Sequence, residues 1–225
     1  TEQHFDIVII GAGPGGYSTA LRAAQLGKTV ALVERDDTLG GTCLNRGCIP
    51  SKALLTAAHS VENVRRAERM GVNVALQSID FGRLRDFRMS TVETMTKGLA
   101  GLLSHRGVTV FRGEAQLKNG HEVHVAPALG ETQVLRSIKA GVGEPVGPEL
   151  TISGGDIVLA TGSRPLPLPN DPFSGALIDS TQALELDTFP SSAVIIGAGA
   201  VALEFASLWN ASGCKVTLLI RKDRV

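Results

Sequence analysis

Twice along these 225 residues an apolar run ends in a glycine-rich turn that opens an Ala- and Leu-rich helix. In the first copy, residues 5–10 read as a buried parallel strand, because an unbroken apolar run suits a strand covered on both faces. Gly11-Ala12-Gly13-Pro14-Gly15-Gly16 follows, then a helix over 17–26 with Gly27 as its C-cap, and a strand over 29–33 that runs into Glu34 and Arg35. A bare G-x-G-x-x-G is a weak signal; strand, helix, second strand and acid in order make it a dinucleotide-binding fingerprint. The glycines let backbone N–H groups approach a pyrophosphate at the positive end of the helix. Glu34 is placed to accept from ribose hydroxyls.

The second copy matches the first at an offset of 186 residues: Gly11, Gly13, Gly27, Val30 and Arg35 map onto Gly197, Gly199, Gly213, Val216 and Arg221. Here a strand over 193–196 leads into Gly197-Ala198-Gly199-Ala200-Val201-Ala202, a helix to 212 and a strand over 216–219. Two copies predict two dinucleotide sites and an α/β, Rossmann-like architecture. Residues 1–190 are expected to form the first domain and 191–225 the first βαβ unit of a second. A doubly wound domain does not close on strand, helix and strand, so that second domain is expected to be truncated or completed by residues outside this chain. Two positions differ between the copies. Gly16 becomes Ala202, which the fingerprint tolerates, and Glu34 becomes Ile220. Ile offers a ribose no acceptor, and Arg221, Lys222 and Arg224 follow it; an arginine here accommodates a 2′-phosphate. The second site is therefore expected to take NADP at least as well as NAD, against the plainer reading of a solvated basic turn.

Between the copies lies Gly40-Gly41-Thr42-Cys43-Leu44-Asn45-Arg46-Gly47-Cys48-Ile49-Pro50-Ser51-Lys52, which holds two of the three cysteines. On a regular helix their five-residue offset would leave the Cα atoms about 8–9 Å apart, beyond the roughly 4.4–6.8 Å a disulfide spans. If the two are bonded, the backbone between them is a loop or a distorted turn, which Gly47 and Pro50 permit. A zinc site would want a second ligand pair, and none recurs. Buried cysteines acting as small hydrophobes would leave unexplained the Gly-Gly-Thr before Cys43 and Lys52 one helical turn after Cys48. A cation near a thiol favours the thiolate, so the pair reads as a redox disulfide.

Elsewhere a helix is expected over 51–70, ended by Gly71 and carrying Arg65, Arg66 and Arg69 on a solvated face. A longer one is expected over 80–106, begun by an Asp cap and stopped at Gly107. Segments 108–111, 113–117, 121–126 and 132–138 read as strands of an antiparallel unit, and 139–149 as a surface loop. His121 and His124 lie three apart on a strand and make a poor metal pair; no metal is expected. A strand over 156–160 then delivers Thr161-Gly162-Ser163 to the sheet's carboxyl edge, where backbone donors and a hydroxyl can meet a ligand. Pro165, Pro167, Pro169 and Pro172 carry the chain on as an extended connector. With 43% hydrophobic but only 4% aromatic residues, the core must be aliphatic. Balanced charge, 22 basic against 22 acidic side chains, argues against a nucleic-acid partner. No apolar run has transmembrane length and the first ten residues lack a signal peptide's pattern, so a cytoplasmic protein without a membrane partner is expected.

Two fingerprints flanking Gly-Gly-Thr-Cys43-Leu-Asn-Arg-Gly-Cys48-Ile-Pro-Ser-Lys52-Ala-Leu-Leu resemble the flavin-dependent pyridine nucleotide-disulfide oxidoreductases. The motif is most similar to that of the dihydrolipoamide dehydrogenases and less so to the glutathione and mercuric reductases. The resemblance implies FAD on Gly11, Gly13, Pro14, Gly15, Gly16, Glu34 and Arg35, with Gly41, Thr42, Lys52, Gly113, Ala115, Thr161, Gly162 and Ser163 along its remaining length. It implies NAD or NADP on Gly197, Gly199, Ala200, Val201, Ala202 and Arg221. Cys48 would lie next to the flavin and Cys43 would exchange with a small dithiol or disulfide substrate. Glu204 would pair with Lys52 near the flavin's reactive nitrogen; without the resemblance it is a helix-surface acid. A homodimer is implied for the full-length protein. Arg46 departs from the small apolar residue usual there, and none of His4, His59, His105, His121 or His124 matches the family's proton-shuttling histidine, which lies in a C-terminal domain absent from this sequence. A non-catalytic flavin-binding module is the alternative of a different class.

Overall fold

The computed structural model describes residues 3–127, 135–139, 142–147 and 149–221. They divide into two compact units, Thr1–Asn45 with Glu93–Arg164, and Arg46–Val92 with Pro165–Val225.

The first unit is built on a mixed sheet whose centre is parallel. Strand β1 (Gln3–Ile10) is followed by helix α1 (Pro14–Gln25) and strand β2 (Val30–Glu34), which pairs in parallel with β1, Ile9 opposite Leu32. All five residues of β2 are buried, as an uninterrupted apolar strand predicts. Leu26 caps α1 and Gly27 takes φ +79°, the left-handed turn that lets the chain drop into β2. The short helix α2 (Gly41–Arg46) carries Cys43. The remaining strands are β3 (Thr109–Arg112), β4 (Glu114–Leu117), β5 (Glu122–Ala126), β6 (Leu135–Lys139), β7 (Val142–Gly147) and β8 (Leu150–Leu159). Their order is β4-β5-β8-β1-β2-β3-β6-β7. The core is aliphatic with an aromatic pair: Val8, Ile10, Ala31, Val33, Val123, Val125 and Ile152 surround Phe5 and Phe111, whose rings meet edge to face at 6.0 Å.

Three expectations need correction here. Strand β3 lies parallel to β2, Leu32 opposite Val110, and only its other edge is antiparallel, to β6. The segment expected as a loop over 139–149 contains β7, antiparallel to β6. Its Gly143, Pro145 and Gly147 argue against a strand, yet β7 is the edge of the sheet and pairs on one side only, the place where a strand tolerates proline. Strand β8 begins six residues earlier than expected, at Leu150 rather than Asp156, and runs through Gly154 and Gly155. These glycines mark close approach: a Cβ on Gly154 would lie 2.9 Å from Val8 Cγ2, and one on Gly155 3.0 Å from the Asp6 carbonyl oxygen. Of the strand expected over 132–138, residues 132–134 lie outside the described residues.

The second unit holds helix α3 (Cys48–Ala67), which opens three residues before the expected start. Pro50 sits in its first turn, where a helix needs no N–H, so the proline does not delay the helix. A 3-10 turn, Glu68–Met70, and Gly71 at φ +80° end it. Helix α4 (Phe81–His105) follows its Asp80 cap, whose carboxylate accepts from the Arg83 N–H at 3.0 Å; its residues 81–92 belong to this unit and 93–105 to the first. Then come α5 (Ser180–Leu184), with a capping box between Asp179 and Gln182, strand β9 (Ser192–Ile196), helix α6 (Ala200–Ala211) and strand β10 (Lys215–Leu219), parallel to β9. Leu54 and Ala58 of α3 pack with Ala183, Leu184, Phe205, Leu208, Trp209 and Cys214, which fixes α3 against α6. No helix among the described residues is long and apolar enough to cross a membrane.

Candidate functional site

In the first unit the glycine turn is closed to side chains at its first and last glycines, Gly11 and Gly16. Gly11 has φ +99°, and a Cβ there would stand 2.3 Å from the Ala160 carbonyl oxygen. A Cβ on Gly16 would fall 1.8 Å from the Gly11 carbonyl oxygen, so only glycine lets α1 start this close to the strand it leaves. Gly41, at φ +56°, lies against Gly13, with a Cβ position 2.7 Å from Gly13 Cα. Gly11–Gly16, Gly41 and Ala160, which leads into Thr161, Gly162 and Ser163, therefore come together at the carboxyl edge of β1 and β8. Thr161, Gly162 and Ser163 are exposed, as is Thr42. Gly13 is the N-cap of α1 and Pro14 its first residue; no side chain caps this end and no acid lies in its first turn. The turn thus leaves its first N–H groups toward a ligand and has no room for a side chain at Gly11, Gly16 or Gly41, which fits close approach of a pyrophosphate to backbone.

Glu34 is buried and turned back onto this turn. Its Oε2 accepts from the Ala12 N–H at 2.7 Å and its Oε1 from the Asp36 N–H at 2.9 Å. An ionised carboxylate has about four acceptor positions, so two backbone bonds leave capacity for a ribose. The Glu34 carbonyl accepts from the Gly113 N–H at 2.8 Å, which sets Gly113 at the same strand end, while Ala115 is half-buried against the core. Arg35 is exposed and pairs with Asp36 at 3.6 Å; Arg112 pairs with Asp37.

Sequence reasoning misses Asn45. Its Nδ2 donates to the carbonyls of Leu39 and Gly41 at 3.1 and 3.0 Å, and its Oδ1 accepts from the Thr38 hydroxyl at 2.7 Å, tying the turn that carries Cys43. The one signal for it is the residue type itself, since Asn bonds nearby backbone in turns. Cys43 is half-buried and Cys48 exposed. The helix breaks between them at Gly47, with φ −146° and ψ −108°, so the spacing of a regular helix does not apply. Cys214 is buried, and burial pushes its thiol up, away from reactivity.

In the second unit Lys52 pairs with Glu204, 152 residues further along the chain. Glu204 also accepts from the buried Ser51 hydroxyl at 3.1 Å, a contact with no sequence signal. The second glycine turn is open. Among the described residues, a Cβ on Gly197 or on Gly199 would meet nothing within 4 Å, although Gly197 keeps the strained φ of +118°. Gly199 caps α6 without a side-chain bond and no acid lies in the first turn, so this end too suits an anionic group. Ala200 and Val201 are exposed and Ala202 half-buried; Ile220 and Arg221 are exposed at the end of β10. Among the described residues, no group of three His, Cys, Asp or Glu is placed to hold a metal ion.

Two glycine turns that each open a helix from a parallel strand, with a cysteine motif between them in the sequence, mark the class of dinucleotide-binding α/β proteins. The chain belongs to the pyridine nucleotide-disulphide oxidoreductase family, whose model matches residues 5–225. Proteins of this family are oxidoreductases that use FAD and NAD(P). The chain is similar to dihydrolipoyl dehydrogenase of Chlamydia pneumoniae, 39% identical over 224 residues, which is 99% of this chain and 44% of that protein. It is 39% identical over 214 residues to that of Geobacillus stearothermophilus, covering 95% of this chain and 42% of the relative. With that of Chlamydia muridarum the figures are 40% over 226 residues, 99% and 44%. The chain thus spans less than half the length of these relatives.

Proposed function

We propose that the chain is the flavin-binding part of a disulfide oxidoreductase acting on dihydrolipoamide and lipoamide. In this reading the dithiol's two thiols close to a disulfide as the Cys43–Cys48 disulfide is opened by exchange at Cys43, and bound FAD would relay the two electrons from Cys48 to NAD(P)+, giving NAD(P)H and one released proton. Within this reading Gly11, Gly13, Pro14, Gly15, Gly16, Gly41 and the segment Thr161–Ser163 hold the flavin nucleotide, and Gly197, Gly199, Ala200, Val201, Ala202 and Arg221 hold the nicotinamide nucleotide. Residues 1–190 and 191–225 are then the flavin and nicotinamide domains, and the complete protein is a cytoplasmic homodimer.

The observation that carries this reading is the Lys52–Glu204 pair. A lysine from the cysteine motif and an acid from the second fingerprint share no sequence signal that would bring them together, yet the resemblance requires that pairing and α3 packed on α6 supports it. The curated relatives named above support lipoamide as substrate. Steady-state assays of the complete protein against dihydrolipoamide and oxidised glutathione test it: the expected result is faster turnover of dihydrolipoamide, and faster turnover of glutathione would overturn the substrate. A second reading, an NADPH-dependent glutathione or mercuric-ion reductase, is favoured by one observation, Ile220 and Arg221 where an NAD site would carry an acid.

A further inference from the structure

Glu204 is held from two adjacent residues of one helix. The Lys52 ammonium takes Oε1 and the Ser51 hydroxyl lies 3.1 Å from Oε2. Ser51 is 7% exposed, so its hydroxyl has little water to turn to. The same oxygen lies 3.2 Å from the Cys48 carbonyl, and one hydroxyl proton serves one acceptor at a time. A charged oxygen wins that competition over a neutral carbonyl.

The terminal torsion of a glutamate is broad and two-fold, so a lysine alone does not fix the plane of the carboxylate. An ammonium is a compact point charge that imposes no direction on its partner. Ser51 supplies what the lysine lacks: a second, directional bond to the other oxygen, from a side chain immobilised by burial. We propose that Ser51 is a positioning residue that fixes the Glu204 carboxylate, and through it the Lys52 ammonium. The proposal rests on the reading above in one respect, that this ion pair acts at the flavin. The contact itself is independent of that reading.

The test is a double-mutant cycle in the FAD-loaded protein with Ser51→Ala, Glu204→Ala and both, together with Ser51→Thr, which keeps the hydroxyl. The readouts are the flavin absorption maximum, the rate of flavin reduction by NADH or NADPH, and the thermal unfolding of the cofactor-free chain. Expected are a shifted flavin maximum and a roughly three- to tenfold slower reduction in Ser51→Ala, no further slowing by Ser51→Ala once Glu204 is alanine, and recovery in Ser51→Thr. Equal slowing in both backgrounds overturns the proposal, as does a lower Tm in Ser51→Ala with an unchanged flavin maximum and rate. If none of the proteins binds FAD, the functional reading fails, and the unfolding cycle still decides: coupling between Ser51 and Glu204 supports the contact, and additive losses overturn it. Should Ser51→Thr be too bulky for this site, Ser51→Gly and Ser51→Ala must agree in both readouts, and disagreement overturns the proposal.

Discussion

The two glycine turns share a pattern but differ in what presses on them. At the first, Cβ positions on Gly11 and Gly16 fall 2.3 and 1.8 Å from backbone oxygens, and a buried acid, Glu34, bonds the Ala12 N–H. At the second, no described atom lies within 4 Å of a Cβ position on Gly197 or Gly199, Ala202 stands in the place of Gly16, and Ile220 replaces the acid. One motif therefore carries two separate demands. Positive φ at the first glycine belongs to the turn itself and is kept in both copies, at +99° and +118°. The bare third glycine belongs to close packing of helix on strand end, and is dispensable where the second copy carries alanine.

The largest contrast is expected between a glycine whose Cβ position falls on backbone, Gly16, and one whose Cβ position is clear, Gly199, although the two are not equivalent positions of the motif. Gly16→Ala drives a methyl into a backbone oxygen that has nowhere to go, and we expect a loss of about 3 kcal/mol or more with loss of FAD binding. Gly199→Ala, at φ −76° and with open space, should cost no more than about 1 kcal/mol. Thermal or urea unfolding of both variants checks this, and equal losses would remove the distinction.

The acid is the next lever. If Arg221 meets a 2′-phosphate, Arg221→Ala should lower kcat/KM for NADP by about ten- to a hundredfold while leaving NAD largely untouched. Ile220→Glu should move the preference the opposite way, toward NAD. A wild-type preference for NAD above about tenfold, or no selective loss in Arg221→Ala, refutes the assignment.

The smallest effect lies at the foot of the first copy. The Asp6 carboxyl is held below its ordinary value of 3.8, first by the Thr29 N–H at 2.7 Å and then by the Thr29 hydroxyl at 2.8 Å, whereas the second copy has Ser192 and Lys215 in these places. A depressed carboxyl contributes stability above its unfolded pKa and loses it as pH falls through the folded value. Wild type should therefore lose slightly more Tm than Asp6→Asn on acidification below about pH 4, a small margin because the carboxyl is open to solvent and screened by it. Parallel acid titrations of Tm would contradict this.

Much of the fold is legible in the sequence. The parallel strands β1, β2, β9 and β10 and the helices between them can be read because strand, glycine turn and helix each leave a local signal. Where local chemistry and tertiary context disagree, the sequence misleads: Pro145 hides β7 because its tolerance depends on the strand being an edge, and Gly154–Gly155 hide the first half of β8 because their cause is a neighbouring strand. The candidate site divides the same way. Gly11, Gly16 and Glu34 follow from the motif alone, Glu204 needs the resemblance, and Ser51 belongs to the cysteine motif but nothing there signals its bond to Glu204. Their contact depends on the packing of α3 against α6, between residues 153 apart, and no periodicity encodes it.

Electron exchange between Cys48 and a bound flavin underlies the proposed reaction. Its decisive check is two-electron reduction of the FAD-loaded protein, followed by absorption spectroscopy. A thiolate against an oxidised flavin predicts a long-wavelength charge-transfer band in the wild type that disappears in Cys48→Ser. A correctly folded, FAD-loaded protein without the band, or a band that survives Cys48→Ser, would contradict this role for Cys48.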